Sequence, residues 1–325
     1  MDGSSNVRVG VLGAGFVARR HVHKLTTLPG VSIAAVADPV RERAQTLADT
    51  CGAMVAETVD GLVDAEIDCL YVCVPPSEHG VPEDCAVRAG LPVFIEKPLA
   101  ADVSTAQDIG DRLERAGLLA VVGYQWRYLD TADIARQALA AAPARMVLGS
   151  WLDKAPGTPW WADQQRSGGQ MVEQATHLLD MARVLVGEVH TVRAEGARDP
   201  SGPGDIFHAS TSTIRFESGA VGSVSTTCLL PGGYRVALEL FAPGIAVRLT
   251  ERDLTLFDAD GERTVLAEVD PVLEADRQFI QAVRGERADL RSTYAEAMRT
   301  HRLAWALAEA ARTGETVGLL GAVGA

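Results

Sequence analysis

The mostly apolar run Val7-Arg8-Val9-Gly10-Val11-Leu12 opens directly into Gly13-Ala14-Gly15-Phe16-Val17-Ala18. No other feature limits the fold so tightly. The run reads as a buried strand, the glycines as a sharp turn, and Phe16–Leu28 as a helix. A helix that starts at such a turn offers free backbone N–H groups and the positive end of its dipole, which suits a dinucleotide pyrophosphate. Gly13 allows the turn. Gly15 lacks a Cβ, so phosphates can approach the main chain, where Phe16 and Val17 present the first amides. Ala18 keeps helix and strand close. An ordinary glycine turn would use the same residues. The placement between a strand and a helix favours the cradle.

The alternation continues. Strands are expected at Val31–Ala37, Cys69–Val74, Val93–Ile95 and Ala120–Tyr124, with a short one near Met54–Ala56. Helices are expected at Val40–Asp49, Glu78–Ala89 and Val103–Ala116. Near-continuous apolar strands separated by helices imply an α/β unit with a doubly wound parallel sheet. The rhythm changes after Tyr124. A helix is expected at Thr131–Ala141, a strand at Arg145–Leu152, then a Trp- and Pro-rich loop, and one long helix, Gly169–Val186. Successive strands over Thr191–Leu266 and closing helices at Val272–Arg284 and Thr293–Ala311 imply a C-terminal α+β domain. The expected division is 1–125 and 126–325, with the last helices packing back on the first domain.

The net charge of -13 disfavours nucleic acid, which needs a basic footprint. No uncharged apolar stretch is long enough to span a membrane, and Met1–Asn6 lacks a secretory pattern. Five cysteines without CxxC spacing point to free thiols in a reducing, cytoplasmic setting.

Asp38, at the end of the second strand, suits the adenosine ribose hydroxyls and repels a 2′-phosphate, which favours NAD. It is equally an N-cap ahead of Pro39. Arg41 and Arg43 keep NADP open. Val74-Pro75-Pro76-Ser77-Glu78-His79 forms the loop expected to pass the nicotinamide ribose, with Pro75, Ser77 and His79 at the cofactor; Ser77 also reads as a helix cap. Glu96-Lys97-Pro98 ends a later strand, with Gln125 ending the next. Burial and a nearby positive nicotinamide would lower the pKa of Lys97 toward neutrality, as a proton carrier needs. A cis Pro98 would aim it, whereas a surface lysine is the plain alternative. Glu173, His177 and Asp180 stand at i, i+4 and i+7, so one helical face carries them toward either solvent or a cleft. No HExxH or paired-histidine spacing supports a metal.

These motifs resemble the Gfo/Idh/MocA oxidoreductases (glucose–fructose oxidoreductase, inositol dehydrogenase and relatives). The resemblance covers nearly the whole chain. It rests on GAGFVA at Gly13–Ala18, VADP ending at Pro39, VPPSEH at Val74–His79, EKPLA at Glu96–Ala100, the glycine-led helix ending in His177, FIQAVRGE near Phe279 and RTGETV at Arg312–Val317. It implies an N-terminal Rossmann domain with Glu96 and Lys97 near bound NAD, and a C-terminal domain with a large, mostly antiparallel sheet that serves homodimer or homotetramer assembly. It also implies Lys97 as the proton-handling residue and His177 as the contact to the reacting hydroxyl. Glu173 stands where the family often has aspartate. Tyr124, Arg127, Trp160 and Trp161 are the expected walls of a sugar or polyol pocket.

Three functions follow. The first is an NAD(P)-dependent dehydrogenase or reductase acting on a secondary alcohol of a sugar, inositol or derivative. The second holds NAD tightly and does redox-neutral sugar chemistry such as glycoside cleavage or epimerisation. The third is a nucleotide- or sugar-sensing protein, against which the retained Lys97, Glu173 and His177 argue.

Overall fold

The computed structural model describes residues 6–319. Met1–Ser5 and residues 320–325, which carry the outer ends of both expected domains, lie outside the described residues. The chain divides into two compact units. The first takes the chain up to Ala100, then Ser104–Gln125 and Asp270–Met298; the second takes Ala101–Val103, Trp126–Val269 and the chain from Arg299.

The first unit begins β1 (Val7–Leu12), α1 (Phe16–Leu25), β2 (Val31–Ala37), α2 (Arg41–Cys51), β3 (Met54–Ala56), α3 (Val59–Val63) and β4 (Cys69–Val72). It continues with α4 (Val81–Ala89), β5 (Val93–Ile95), α5 (Val103–Arg115) and β6 (Ala120–Val122). Strands order as β3-β2-β1-β4-β5-β6, all parallel. The core strands are apolar because helices cover both faces: Val9, Val11, Leu70, Phe94 and Ile95 are fully buried. The winding reverses between β1 and β4, and ligands of such sheets lie at the carboxyl edge there. On α1 the buried side chains are Ala18, His21, Val22 and Leu25, so a histidine occupies an otherwise apolar stripe.

The second unit holds α6 (Asp130–Ala140), β7 (Met146–Leu152), α7 (Gln164–Ser167), α8 (Gln170–Glu173), α9 (Thr176–Val186) and β8 (Val189–Ala197). Then come β9 (Ala209–Phe216), β10 (Val221–Thr227), β11 (Arg235–Ala242), β12 (Ile245–Leu249), β13 (Asp253–Asp258) and β14 (Gly261–Leu266). The helix α10 (Pro271–Val283) falls in the first unit; α11 (Tyr294–Thr313) starts there and continues in the second, before β15 (Val317–Gly318). The nine strands order as β14-β13-β12-β11-β7-β10-β9-β8-β15. Only β7 and β10 run parallel; every other neighbouring pair is antiparallel. Alternation along β7 and β9 buries one face of the sheet, where Val147, Val224, Leu238 and Leu240 pack in one core with Leu178, Leu179 and Ala182 of α9.

The expected single helix over Gly169–Val186 is two helices. The break comes where Ala175 N–H bonds back five residues to the Gln170 carbonyl, while the Gln170 side-chain amide ties to Gln174 and to the Thr227 carbonyl. Such wide turns recur at functional sites. Other helix starts also differ, those of α6, α10 and α11 by a single residue. The helix expected from Glu78 starts at Val81, because Glu83 Oε2 accepts the Gly80 N–H at 2.6 Å and fixes the cap there rather than at Ser77. The second helix starts at Arg41 with Val40 as its cap residue, one position later than expected, while Asp38 accepts the Val40 N–H with Oδ1 and the Ala14 N–H with Oδ2.

Candidate active site

In the first unit the parallel sheet brings its strand ends to one edge. Gly13 has φ +93° and its N–H donates to the Ala37 carbonyl at 2.8 Å. A Cβ there would come within 2.2 Å of the Cys73 carbonyl oxygen, so the neighbouring strand end requires glycine. Gly15 is different. A Cβ there would meet nothing within 4 Å, and Gly15, Phe16 and Val17 are exposed at the start of α1. Among the described residues nothing requires a bare backbone at Gly15. An anion on the open helix N-terminus does. Asp38 stands beside this loop, its Oδ2 accepting the Ala14 N–H and its Oδ1 the Val40 N–H, both at 2.8 Å. These residues fit a dinucleotide.

The loop after β4 carries Pro75, a 3-10 turn over Pro76–Glu78, and exposed Ser77, whose hydroxyl donates to Glu78 at 3.0 Å. His79 is buried and its Nδ1 lies 2.7 Å from Glu83 Oε1, which braces the loop. Burial alone would raise Glu83; the His79 ring and the Gly80 N–H outweigh it and hold the carboxyl below its usual range.

Lys97 follows β5 and is half-buried; the Lys97–Pro98 bond is cis. Gln125, at the end of β6, opens a 3-10 turn, and Tyr124 beside it is buried. Glu96 turns inward. Its Oε2 accepts the Lys97 main-chain N–H at 3.1 Å, and its Oε1 lies 3.0 Å from His21 Nε2. The other ring nitrogen, Nδ1, lies 2.7 Å from Asp276 Oδ1 on α10, which also accepts the Tyr71 hydroxyl at 3.2 Å. With carboxylates facing both ring nitrogens, an imidazolium at His21 donates to both at once. Burial alone would lower its pKa; Asp276 and Glu96 outweigh that and raise it to about 10. Burial raises the Asp276 carboxyl, against the pull of His21.

In the second unit, His177 is the second residue of α9 and its side chain is buried. The Trp126 and Trp151 rings stack near-parallel with its imidazole, centroids at 6.3 and 6.1 Å. Glu173, half-buried at the end of α8, accepts the Trp161 indole N–H at 2.7 Å. Trp161 is buried against Ile206 and Cys228, with Trp160 partly buried alongside. The polar stripe is thus no solvated face. Asp180 is fully enclosed and takes a bidentate contact from buried Arg127, Nε and Nη2 each at 2.7 Å, plus the Thr300 hydroxyl at 2.6 Å. Arg183 extends this network to Thr300 and to Glu188. Arg127, expected at the pocket wall, therefore directs its fork at Asp180.

His21, Asp276 and Tyr71 behind Glu96, and the two indoles around His177, are not legible in the sequence as site residues. His21 alone leaves a signal, as a histidine on the apolar stripe of α1. Among the described residues no cluster of three His, Cys, Asp or Glu side chains forms a metal site, and no helix is long and apolar enough to cross a membrane.

Residues 7–124 match the family model of an oxidoreductase family with an NAD-binding Rossmann fold, and residues 143–244 match the GFO/IDH/MocA C-terminal domain. A myo-inositol dehydrogenase of Streptomyces leeuwenhoekii is 31% identical over 241 residues, 71% of this chain and 73% of that protein. The scyllo-inositol 2-dehydrogenase (NAD(+)) of Bacillus subtilis is 28% identical over 268 residues, 78% of each chain. The solved structure of a levoglucosan dehydrogenase in complex with NADH and levoglucosan superposes with a TM-score of 0.85 at 22% identity, covering 97% of this chain and 99% of that one.

Proposed function

The chain belongs to the Gfo/Idh/MocA oxidoreductase family, and on that premise we propose that it is an NAD-dependent dehydrogenase for a secondary alcohol of an inositol or sugar. One observation carries this reading: the open Gly15 backbone and Lys97 lie along the same carboxyl edge of one parallel sheet. The first unit would hold the cofactor, with Gly13, Gly15, Phe16 and Val17 at the pyrophosphate and Asp38 at the adenosine ribose. Of the two candidates for a 2′-phosphate, Arg41 and Arg43, the first faces Glu57 at 3.4 Å; the Asp38 carboxylate at the ribose supports NAD over NADP. Pro75, Ser77, His79 and Gln125 would border the nicotinamide half.

Bound NAD supplies the hydride acceptor. Lys97, as the free amine, takes the hydroxyl proton when the alcohol is oxidised and returns it in reduction. The second unit would supply the substrate pocket. His177, its ring plane fixed by two indoles, would hydrogen-bond the reacting oxygen, and Glu173, anchored by Trp161, an adjacent hydroxyl. Trp160 would add an apolar wall. Inositol dehydrogenases and a levoglucosan dehydrogenase among the relatives support this substrate class.

The same reading includes a homodimer or homotetramer in the cytoplasm. Met146, Leu148 and Val221 are exposed along the uncovered face of the nine-stranded sheet, as an assembly surface would have them. The cysteines are free thiols. The test is a panel of myo-inositol, scyllo-inositol, levoglucosan and hexoses with NAD+ and NADP+ in turn, following absorbance of the reduced cofactor. Turnover with NAD+ on a polyol is expected. Tight NAD+ binding with no reduction of cofactor across the panel would overturn the reading.

A further inference from the structure

A lone charge in a protein core is costly, and a buried ion pair is rarely worth more than the apolar residues that would replace it. Three charged groups nevertheless meet in the core of the first unit, among stacked Tyr71 and Phe94 and the edge of Phe279. The contacts form a line. Asp276 on α10 holds His21 on α1, His21 holds one oxygen of Glu96, and the other oxygen of Glu96 holds the main-chain N–H of Lys97. The line ends at the residue the mechanism needs, starting 179 positions further along the chain (276 minus 97). Gly123, at the end of β6, closes the fourth side. A Cβ on Gly123 would come within 2.2 Å of Glu96 Oε1.

We propose that His21 and Asp276 are positioning residues for Lys97: together with Gly123 they fix the Glu96 carboxylate beneath the Lys97 amide, and so set the place of the Lys97 amine at the sheet edge. This rests on the reading of Lys97 as the proton carrier. The geometry explains why a histidine occupies the apolar stripe of α1. It also explains a glycine at Gly123, where φ demands none and only the carboxylate excludes a methyl group. The imidazolium is the hinge of the arrangement, since a neutral ring could donate to only one of the two carboxylates.

The chain's lysines are Lys24, Lys97 and Lys154, which makes a direct test practical. Protein labelled with 13C at the lysine ε-carbon gives one signal for each, and loss of a signal in Lys97→Arg assigns the one that matters. The NAD+-saturated full chain is titrated as wild type, Gly123→Ala, Asp276→Asn and Leu113→Ala. Gly123→Ala pushes only the end of a flexible side chain, so the fold survives while Glu96 moves. Asp276→Asn keeps an oxygen for His21 and Tyr71 but removes the charge. Leu113→Ala opens a cavity under α5 and touches none of these groups, which controls for plain destabilisation.

In Gly123→Ala and Asp276→Asn the Lys97 signal is expected to move and its titration midpoint to shift by ~0.5 unit or more. Lys154 stays in place in both, and Leu113→Ala leaves Lys97 unchanged. Turnover of the best polyol drops about tenfold, with the Kd for NAD+ within about threefold. If Lys97 keeps its signal and midpoint in folded Gly123→Ala, the inference is overturned. If Asp276→Asn does not fold, Gly123→Ala decides alone. A Lys97 signal that moves while turnover stays unchanged supports the positioning and overturns the proton-carrier reading instead.

Discussion

Each unit buries one charged network, and the two are built differently. In the second unit Arg127 grips Asp180 with two parallel hydrogen bonds, Thr300 takes a third, and Arg183 leads out to half-exposed Glu188. Arginine keeps its charge at any pH a protein survives, so the centre of this clamp does not titrate away. In the first unit the central cation is His21, between two carboxylates, and Asp276 Oδ2 finds no hydrogen-bond partner among the described residues. The first design suits a fixed framework under a helix. The second is a poised arrangement that loses its cation when the pH climbs. The difference teaches where each unit is vulnerable, and the vulnerabilities lie at opposite ends of the pH scale.

The largest effect separating them comes from Asp180→Ala. It leaves Arg127 buried without its partner and is expected to cost about 3–5 kcal/mol by urea unfolding; a cost below 1 kcal/mol would mean that the clamp is not a framework. Next is alkaline stability. The folded pKa of His21 is raised to about 10, above its unfolded value near 6.5. Its contribution is therefore complete below about pH 6.5 and is lost as pH rises toward 10. The melting temperature of the wild type should fall between pH 7 and pH 10 by roughly 4–8 °C, on the order of 2 kcal/mol. Asp276→Asn should flatten that fall, and an unchanged slope would show that His21 does not carry it.

The acid end belongs to the other network. The Arg183 hydrogen bond, and then its charge, hold the Glu188 carboxyl below its usual range against partial desolvation. That contribution is present above about pH 4.3 and lost as pH falls through the folded value. Glu188 is half-exposed, so Glu188→Gln should remove less than ~1 kcal/mol at pH 7 and nothing at pH 3. The smallest stability effect is at Gly15→Ala, within ~0.5 kcal/mol in the absence of cofactor, because nothing among the described residues meets the added methyl. The same variant should bind NAD+ about tenfold more weakly by calorimetry; unaltered affinity would separate the open glycine from the pyrophosphate.

The two units also differ in how much of them the sequence discloses. The ends of β1, β2, β3 and β5 follow from residue pattern alone, because a buried parallel strand is a short apolar run stopped by a turn. So does the open cradle at Gly15, since its chemistry is local. Asp276 was out of reach. Its place beside His21 depends on α10 returning to the first unit 255 positions later, and no spacing records that. The break between α8 and α9 was hidden for a similar reason. Helical periodicity runs through Glu173, His177 and Asp180, whereas the wide turn at Ala175 depends on the Gln170 side chain reaching Thr227 on a distant strand. The ring partners of His177 come from outside its helix as well, Trp151 from β7 and Trp126 from a 3-10 turn. Arg127 reads in the sequence as a pocket wall, because a guanidinium can donate to hydroxyls; its partner at Asp180 appears only on folding.

Lys97→Met tests the central claim most directly, because it keeps the length of the side chain and removes only the amine. NAD+ binding by calorimetry should stay within about threefold, while turnover of the polyol that the wild type oxidises fastest falls by about a thousandfold or more across pH 6–10. A variant that still reduces NAD+ at a tenth of the wild-type rate or better would contradict the account, since the hydroxyl proton would then be leaving by another route.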